Sequence, residues 1–255
     1  MNFWISFFAV GFSLATVAYL WARHRQLMAI VDLVWTLGLG IAGFAYAASM
    51  GATTARPWLI AAVLGLWSLR LSYHLFSDRV LPGREDPRYE ALAAKWGIHA
   101  KRNFFALFLV QVLFIALFLV PVSVAMQNPS PFMHVTDWLA LLIALLAITG
   151  ELTADRQLAR FRANAKHSGQ VCRTGLWRYS RHPNYFFEWL YWWCYVAFAW
   201  GSPNGWVSLI GPAAMYCFLR YLTGIPYAER SSLKSRGVAY REYQKTTNAF
   251  FPWIP

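Results

Sequence analysis

Seven apolar runs dominate the chain, each close to the roughly 20 residues an α-helix needs to cross a bilayer. They lie near residues 3–22, 27–49, 57–76, 104–126, 136–154, 184–200 and 205–225. Of the 255 residues, 58% are hydrophobic and only 13% charged, roughly half the charged fraction of a soluble domain. The expectation is an all-α integral membrane protein, a seven-helix bundle forming a single membrane domain over 1–255. Residues 1–150 would be its substrate side and 151–255 its cofactor-binding part. The first run ends in Arg23-His24-Arg25 rather than in a small-residue cleavage site, which reads as a retained span. No internal repeat is visible.

Charge outside the runs sets an orientation. Lys and Arg number 20 in the loops after the first, third and fifth runs and in the tail, against Arg56 alone on the other side. The positive-inside rule then predicts the N-terminus out and the C-terminus in the cytoplasm. The net charge of +12 sits in loops between spans, so nucleic acid is not the expected partner; the bilayer is. Cys172, Cys194 and Cys217 show no paired spacing. No HExxH, CxxC or histidine cluster argues for a metal, no GxSxG for a serine hydrolase, and no GxGxxG for a Rossmann domain.

The polar stretch G-L-W-R-Y-S-R-H-P-N-Y-F-F-E, residues 175–188, lies between two apolar runs. Arg178, Arg181 and His182 place cations at a membrane border. Pro183 suits the first turn of a helix, on which Asn184 and Glu188 share a face. Glu188 is thereby carried into hydrocarbon, where a carboxylate reads as functional. Arg70, Glu151 and Arg220 are the other ionisable residues in the cytoplasmic half of the spans, and the four could neutralise one another. Asp32, in V-D-L-V-W, has apolar neighbours in sequence that would raise its pKa toward a proton-donating range; Tyr73 and His74 are candidate partners. The loop 77–103 with G-R-E-D-P-R-Y, the loop 155–183, and the tail with P-Y-A-E-R, A-Y-R-E-Y-Q-K and F-F-P-W-I-P are expected to cap the cytoplasmic mouth. Together 155–188 and the tail supply cations, acids, amides and aromatics of the kind a nucleotide needs.

R-H-P-N-Y followed by Glu188 resembles the C-terminal motif of integral-membrane sterol reductases. That superfamily includes steroid 5-alpha-reductases and isoprenylcysteine carboxyl methyltransferases. The resemblance covers about residues 60–255, and with G-R-E-D-P-R-Y it is most similar to the bacterial steroid 5-alpha-reductase-like branch. It implies a seven-helix bundle in the bacterial inner membrane that takes NADPH from the cytoplasm. The implied reaction is hydride transfer to a carbon–carbon double bond conjugated with a carbonyl, in a 3-oxo-delta-4 steroid or another lipophilic substrate, by a monomer. Matched to the family, Asn184, Glu188, Asp155, Arg162, Arg220 and Tyr243 would bind cofactor. Arg160 stands beside a position that is arginine in the family and Ala159 here, and Glu151 replaces an asparagine. Arg178, Arg181, His182 and Tyr185 complete the cofactor set. Asp32 takes the place of the family's catalytic glutamate, with Tyr73 nearest its substrate tyrosine. Two other functions are compatible with the pattern: an S-adenosylmethionine-dependent methyltransferase of the same fold, and a non-enzymatic transporter or lipid-binding scaffold.

Overall fold

The computed structural model describes residues 2–51, 54–167 and 169–253; Met1, Ala52, Thr53, Ser168, Ile254 and Pro255 lie outside it. It is all-helical, with no strand among the described residues. Among the described residues, five helices are long and apolar enough to cross a membrane: Phe3–Arg25, Ile30–Ser49, Ala55–Val80, Pro87–Met126 and Val135–Ala163. The expected spans 184–200 and 205–225 take other forms. The first is a 16-residue helix, Pro183–Phe198. The second is a helical run in three pitches: 3₁₀ over Gly205–Leu209, α over Ile210–Cys217 and π over Phe218–Leu222.

The chain forms two compact units, 1–132 with 199–208, and 133–198 with 209–255.

The first unit contains α1 (Phe3–Arg25), α2 (Ile30–Ser49), α3 (Ala55–Leu75), α4 (Pro87–Trp96) and α5 (Ala100–Met126). Asn2 caps α1 by accepting from the Trp4 amide at 3.2 Å, and Gln26 ends it in the left-handed region at φ 52°. α2 and α3 pack closely through small residues. A Cβ on Gly40 would stand 2.4 Å from Ser68 Oγ, and one on Gly43 2.6 Å from Leu64 Cδ2. Ser68 Oγ donates to the Thr36 carbonyl at 2.7 Å, and the Thr36 and Ser72 hydroxyls meet at 2.8 Å. Small residues and hydroxyl bonds are how helices associate where lipid removes the hydrophobic drive. At the other end of α3, Arg56 is only 3% exposed. Its guanidinium donates to the carbonyls of Asn128 (2.9 Å), Ser130 (2.6 Å) and Pro131 (2.6 Å). The one cation that breaks the loop asymmetry thus holds the loop after α5.

The second unit contains α6 (Val135–Ala163), α7 (Pro183–Phe198), α8 (Ile210–Cys217) and α9 (Ile225–Thr246). The 29 residues of α6 make a rod of about 44 Å, longer than the ~30 Å hydrocarbon layer. Its last turns therefore carry Asp155, Arg160 and Arg162 out of the apolar region. Gly150 lets α7 approach: a Cβ there would meet the Phe187 ring at 2.4 Å. Tyr191, Trp192, Cys194, Tyr195 and Phe198 of α7 are fully buried.

One local design occurs in both units, which the amino-acid sequence does not display as a repeat. A helical run ends in a π turn bearing an arginine, Arg79 in Phe76–Val80 and Arg220 in Phe218–Leu222. A proline-initiated polar helix follows and breaks at a glycine, Gly97 (φ 50°, ψ −122°) or Gly237 (φ 50°, ψ −118°). Only glycine adopts such dihedrals without strain. A Cβ on Gly237 would meet nothing within 4 Å, so Gly237→Ala tests the backbone alone. The expected loss is about 1–3 kcal/mol, read as a lower thermal midpoint in detergent; a variant that melts with the parent would show that the native chain does not hold this turn.

Candidate functional site

In the first unit the polar residues converge on Asp32. α2 has no side-chain cap of its own. Glu85 supplies one, accepting from the amide of Met28 and from that of Ala29 at 2.8 Å. Asp86 caps α4 by accepting from the Arg88 amide at 2.8 Å, with Pro87 next in line as the first-turn residue. Arg79 bridges Asp32 (2.8 Å) and Asp86 (2.9 Å). Arg88 does the same at 2.6 and 2.8 Å. The Tyr89 hydroxyl donates to Asp32 Oδ1 at 2.6 Å. Burial pushes the Asp86 carboxyl up, but Arg88 and Arg79 outweigh it and hold the group below the ordinary carboxylate range.

This corrects the expected setting of Asp32. Its sequence neighbours are apolar, but its spatial neighbours are two guanidinium groups and a phenol, all of which donate to it. Tyr73 is 75% exposed, and the tyrosine that meets Asp32 is Tyr89. E-D-P-R-Y is therefore a knot joining α2 to α4, a role that its reading as part of a cap over the cytoplasmic mouth did not include.

In the second unit, Asn184 Nδ2 donates to Asp155 Oδ1 at 3.2 Å, across α6 and α7. The Asn184 side-chain oxygen is buried and receives no hydrogen bond among the described residues. Glu188 lies one turn further along α7, and Glu151 one turn before Asp155 on α6; each is 6% exposed. The 3₁₀ turn Gly175–Arg178 is fastened to α6: Trp177 Nε1 donates to the Ala154 carbonyl at 3.0 Å, and Gln157 Oε1 accepts from the Leu176 amide at 2.9 Å. Arg178, beside Trp177, is exposed, as are Arg160 and Arg162 near the end of α6. None of these three guanidinium groups makes an ion pair or hydrogen bond among the described residues.

Other expected cofactor residues are committed within the fold. Arg181 donates Nε to Glu229 at 2.6 Å and Nη1 to the carbonyls of Gln244 (3.2 Å) and Thr247. His182 Nε2 meets the same Glu229 oxygen at 3.3 Å, and its ring stacks on Tyr185 with centroids 5.4 Å apart. Burial depresses the His182 pKa against the pull of Glu229. Tyr243 donates to the Trp177 carbonyl and, at 3.2 Å, to that of Ser180. Arg220 lies over the Tyr221 ring, 5.3 Å from its centroid. Glu229 is the residue that the sequence reading passed over. It stands in the noted P-Y-A-E-R and collects Arg181, His182 and Gln244 (2.8 Å).

The helices and polar clusters define an all-helical, multi-pass membrane protein. The chain belongs to a family described as "Protein of unknown function (DUF1295)", whose profile matches residues 18–247. It is 27% identical to the uncharacterized protein C594.04c of Schizosaccharomyces pombe, over 87% of this chain and 72% of that one. No solved structure matches it.

Proposed function

We propose that the chain is a membrane oxidoreductase that uses NADPH to reduce a carbon–carbon double bond conjugated with a carbonyl, in a steroid-like or other lipophilic substrate. In this reading it has seven spans, with α7 and the run 205–222 as the last two, and its charged mouth opens to the cytoplasm. The loop-charge asymmetry supports that orientation. The resemblance of R-H-P-N-Y and Glu188 to membrane reductases supports the reaction.

One observation carries the reading. Asn184 presents a buried oxygen without a donor while its nitrogen is fixed by Asp155. An unsatisfied buried acceptor costs about 1–3 kcal/mol, and a ribose hydroxyl or a carboxamide N–H would satisfy it. The acids Asp155 and Glu188 suit hydroxyl and amide donors. The uncommitted Arg160, Arg162 and Arg178 suit phosphate, which guanidinium binds in a planar fork. NADPH, when bound, supplies the hydride. The chain's own part is to orient it: Asn184 and Asp155 fix one polar edge, and the arginines neutralise phosphate charge. Arg181, His182 and Tyr243 hold the walls rather than the cofactor.

Asn184→Ala removes the acceptor and the hydrogen bond to Asp155. NADPH affinity, read by quenching of protein fluorescence, is expected to fall roughly 2- to 13-fold, the equivalent of one neutral hydrogen bond worth about 0.5–1.5 kcal/mol, with the thermal midpoint nearly unchanged. Parent-like NADPH affinity in this variant would remove Asn184 from the site and the main support for the reading.

A further inference from the structure

We infer that the Gly97 turn and the helix ends beside it form a docking surface for the anionic phospholipid headgroups of the surrounding bilayer. The stretch K-W-G-I-H-A-K-R spans residues 95–102. Gly97 turns the chain at φ 50°, and Ile98 stands at its tip with 93% of its surface exposed. Lys95, His99, Lys101 and Arg102 surround it and are all exposed. The Tyr19 hydroxyl donates to the Lys101 carbonyl at 2.8 Å. That bond brings the end of α1, with Arg23 and Arg25, beside the start of α5. Ala22 of α1, with Trp96 and Phe104 flanking the turn, packs into the same cluster beneath this rim. Among the described residues, none of these cations makes an ion pair with a carboxylate.

Cations at this border satisfy the positive-inside rule, but that rule asks for no bare aliphatic tip and no absence of acids. An apolar anchor ringed by Lys and Arg is the chemistry of an anionic membrane surface. Its position supports the same partner, because α5 begins at Ala100 and is among the membrane-length helices. The matching turn at Gly237 provides the contrast. Val238 is 72% exposed there, but two of the neighbouring cations are used internally, and an exposed carboxylate, Glu242, stands beside the exposed Arg241. Arg236 donates to the Gln170 carbonyl at 2.8 Å, and Arg173 to that of Ala239 at 2.7 Å. The two turns share a backbone shape, and at the first none of the cations is bonded to a backbone carbonyl or a carboxylate among the described residues.

The test uses the full chain in detergent, titrated with phosphatidylglycerol or phosphatidylcholine and followed by native mass spectrometry. The parent should retain phosphatidylglycerol in preference. The triple variant K95Q/K101Q/R102Q should lose roughly 100-fold in apparent affinity, about fivefold per cation. Ile98→Ser should weaken retention of both lipids, and Val238→Ser should match the parent. Lys101→Gln alone, expected to lose about fivefold, serves if the triple variant yields no folded protein. Parent-like phosphatidylglycerol retention by the charge variants would overturn the inference. So would displacement of the lipid by equimolar inorganic phosphate, which would mark a site for a free anion.

Discussion

Asp32→Asn is expected to lower the thermal midpoint of the purified protein steeply, while the folded fraction keeps the parent's NADPH affinity. The asparagine has nearly the same shape but no charge. Arg79 and Arg88 would then share Asp86, with Asp78 3.9 Å from Arg79 as the remaining carboxylate, and the Tyr89 hydroxyl would lose its charged acceptor. Removing one partner of a buried ion pair costs about 3–5 kcal/mol. Asp32, Arg79 and Arg88 are each 25% exposed, so solvent reduces this to about 2–4 kcal/mol. Thermal unfolding in detergent, read beside NADPH titration of the soluble fraction, separates the outcomes. A variant as stable as the parent but slower in turnover by ~10²-fold or more would return Asp32 to the role of proton donor.

Arg181→Ala should be comparably damaging, and the contrast with Arg178→Ala is the informative one. Arg181 joins the segment before α7 to α9 and the residues after it: its own amide donates to the Asn248 carbonyl at 2.8 Å, beside the side-chain bonds to Glu229, Gln244 and Thr247. Its loss leaves Glu229 without its guanidinium, at an expected cost of about 3–5 kcal/mol. Arg178 is exposed, and its replacement should change stability by no more than about 0.5 kcal/mol while weakening NADPH binding. Acid gives the same latch a pH signature. Burial opposes ionisation of Glu229, but hydrogen bonds from His182 and Arg181 and the Arg181 charge lower its pKa from an ordinary 4.5 to about 2. A depressed carboxylate contributes stability above pH 4.5 that is lost as pH falls toward 2. His182, depressed by burial, acts in the same direction, since protonation below its ordinary 6.5 favours the open chain. Glu229→Gln should flatten the acid limb of the stability curve between pH 5 and 2; an acid limb as steep as the parent's would show that the latch titrates elsewhere.

The first five spans were legible because apolar run length alone decides them. The last two were legible as helical runs but not in form: Pro183–Phe198 is only 16 residues long, and a run that changes from 3₁₀ to α to π keeps its apolar composition while losing regular pitch. Asp155 and Asn184 were matched as cofactor residues only through the family resemblance, and they stand together, 3.2 Å apart. Asp32 misled because flanking residues on a helix point in different directions, so Ile30, Val31 and Leu33 say little about what its carboxylate faces. Its partners arrive from residues 79–89, after a whole intervening span. Arg181, His182 and Tyr243 had the right chemistry for a nucleotide, but Glu229 and backbone carbonyls claim them first. Nothing local in P-Y-A-E-R shows which cations a glutamate will collect across the tail.

The α2–α3 pairing also limits how a lipid-sized molecule could reach the interior of the first unit. Asp32 and the knot from residues 79–89 secure the start of α2. One turn on, the Thr36, Ser68 and Ser72 hydroxyls are bonded across the pair, and beyond them Gly40 and Gly43 bring α2 within a methyl's width of Ser68 and Leu64. Opening this seam between Asp32 and Gly43 would break charged, hydroxyl and van der Waals contacts together. A hydrophobic guest must therefore enter the first unit by another seam, and bulky substitutions at Gly40 or Gly43 would act on folding without narrowing that route.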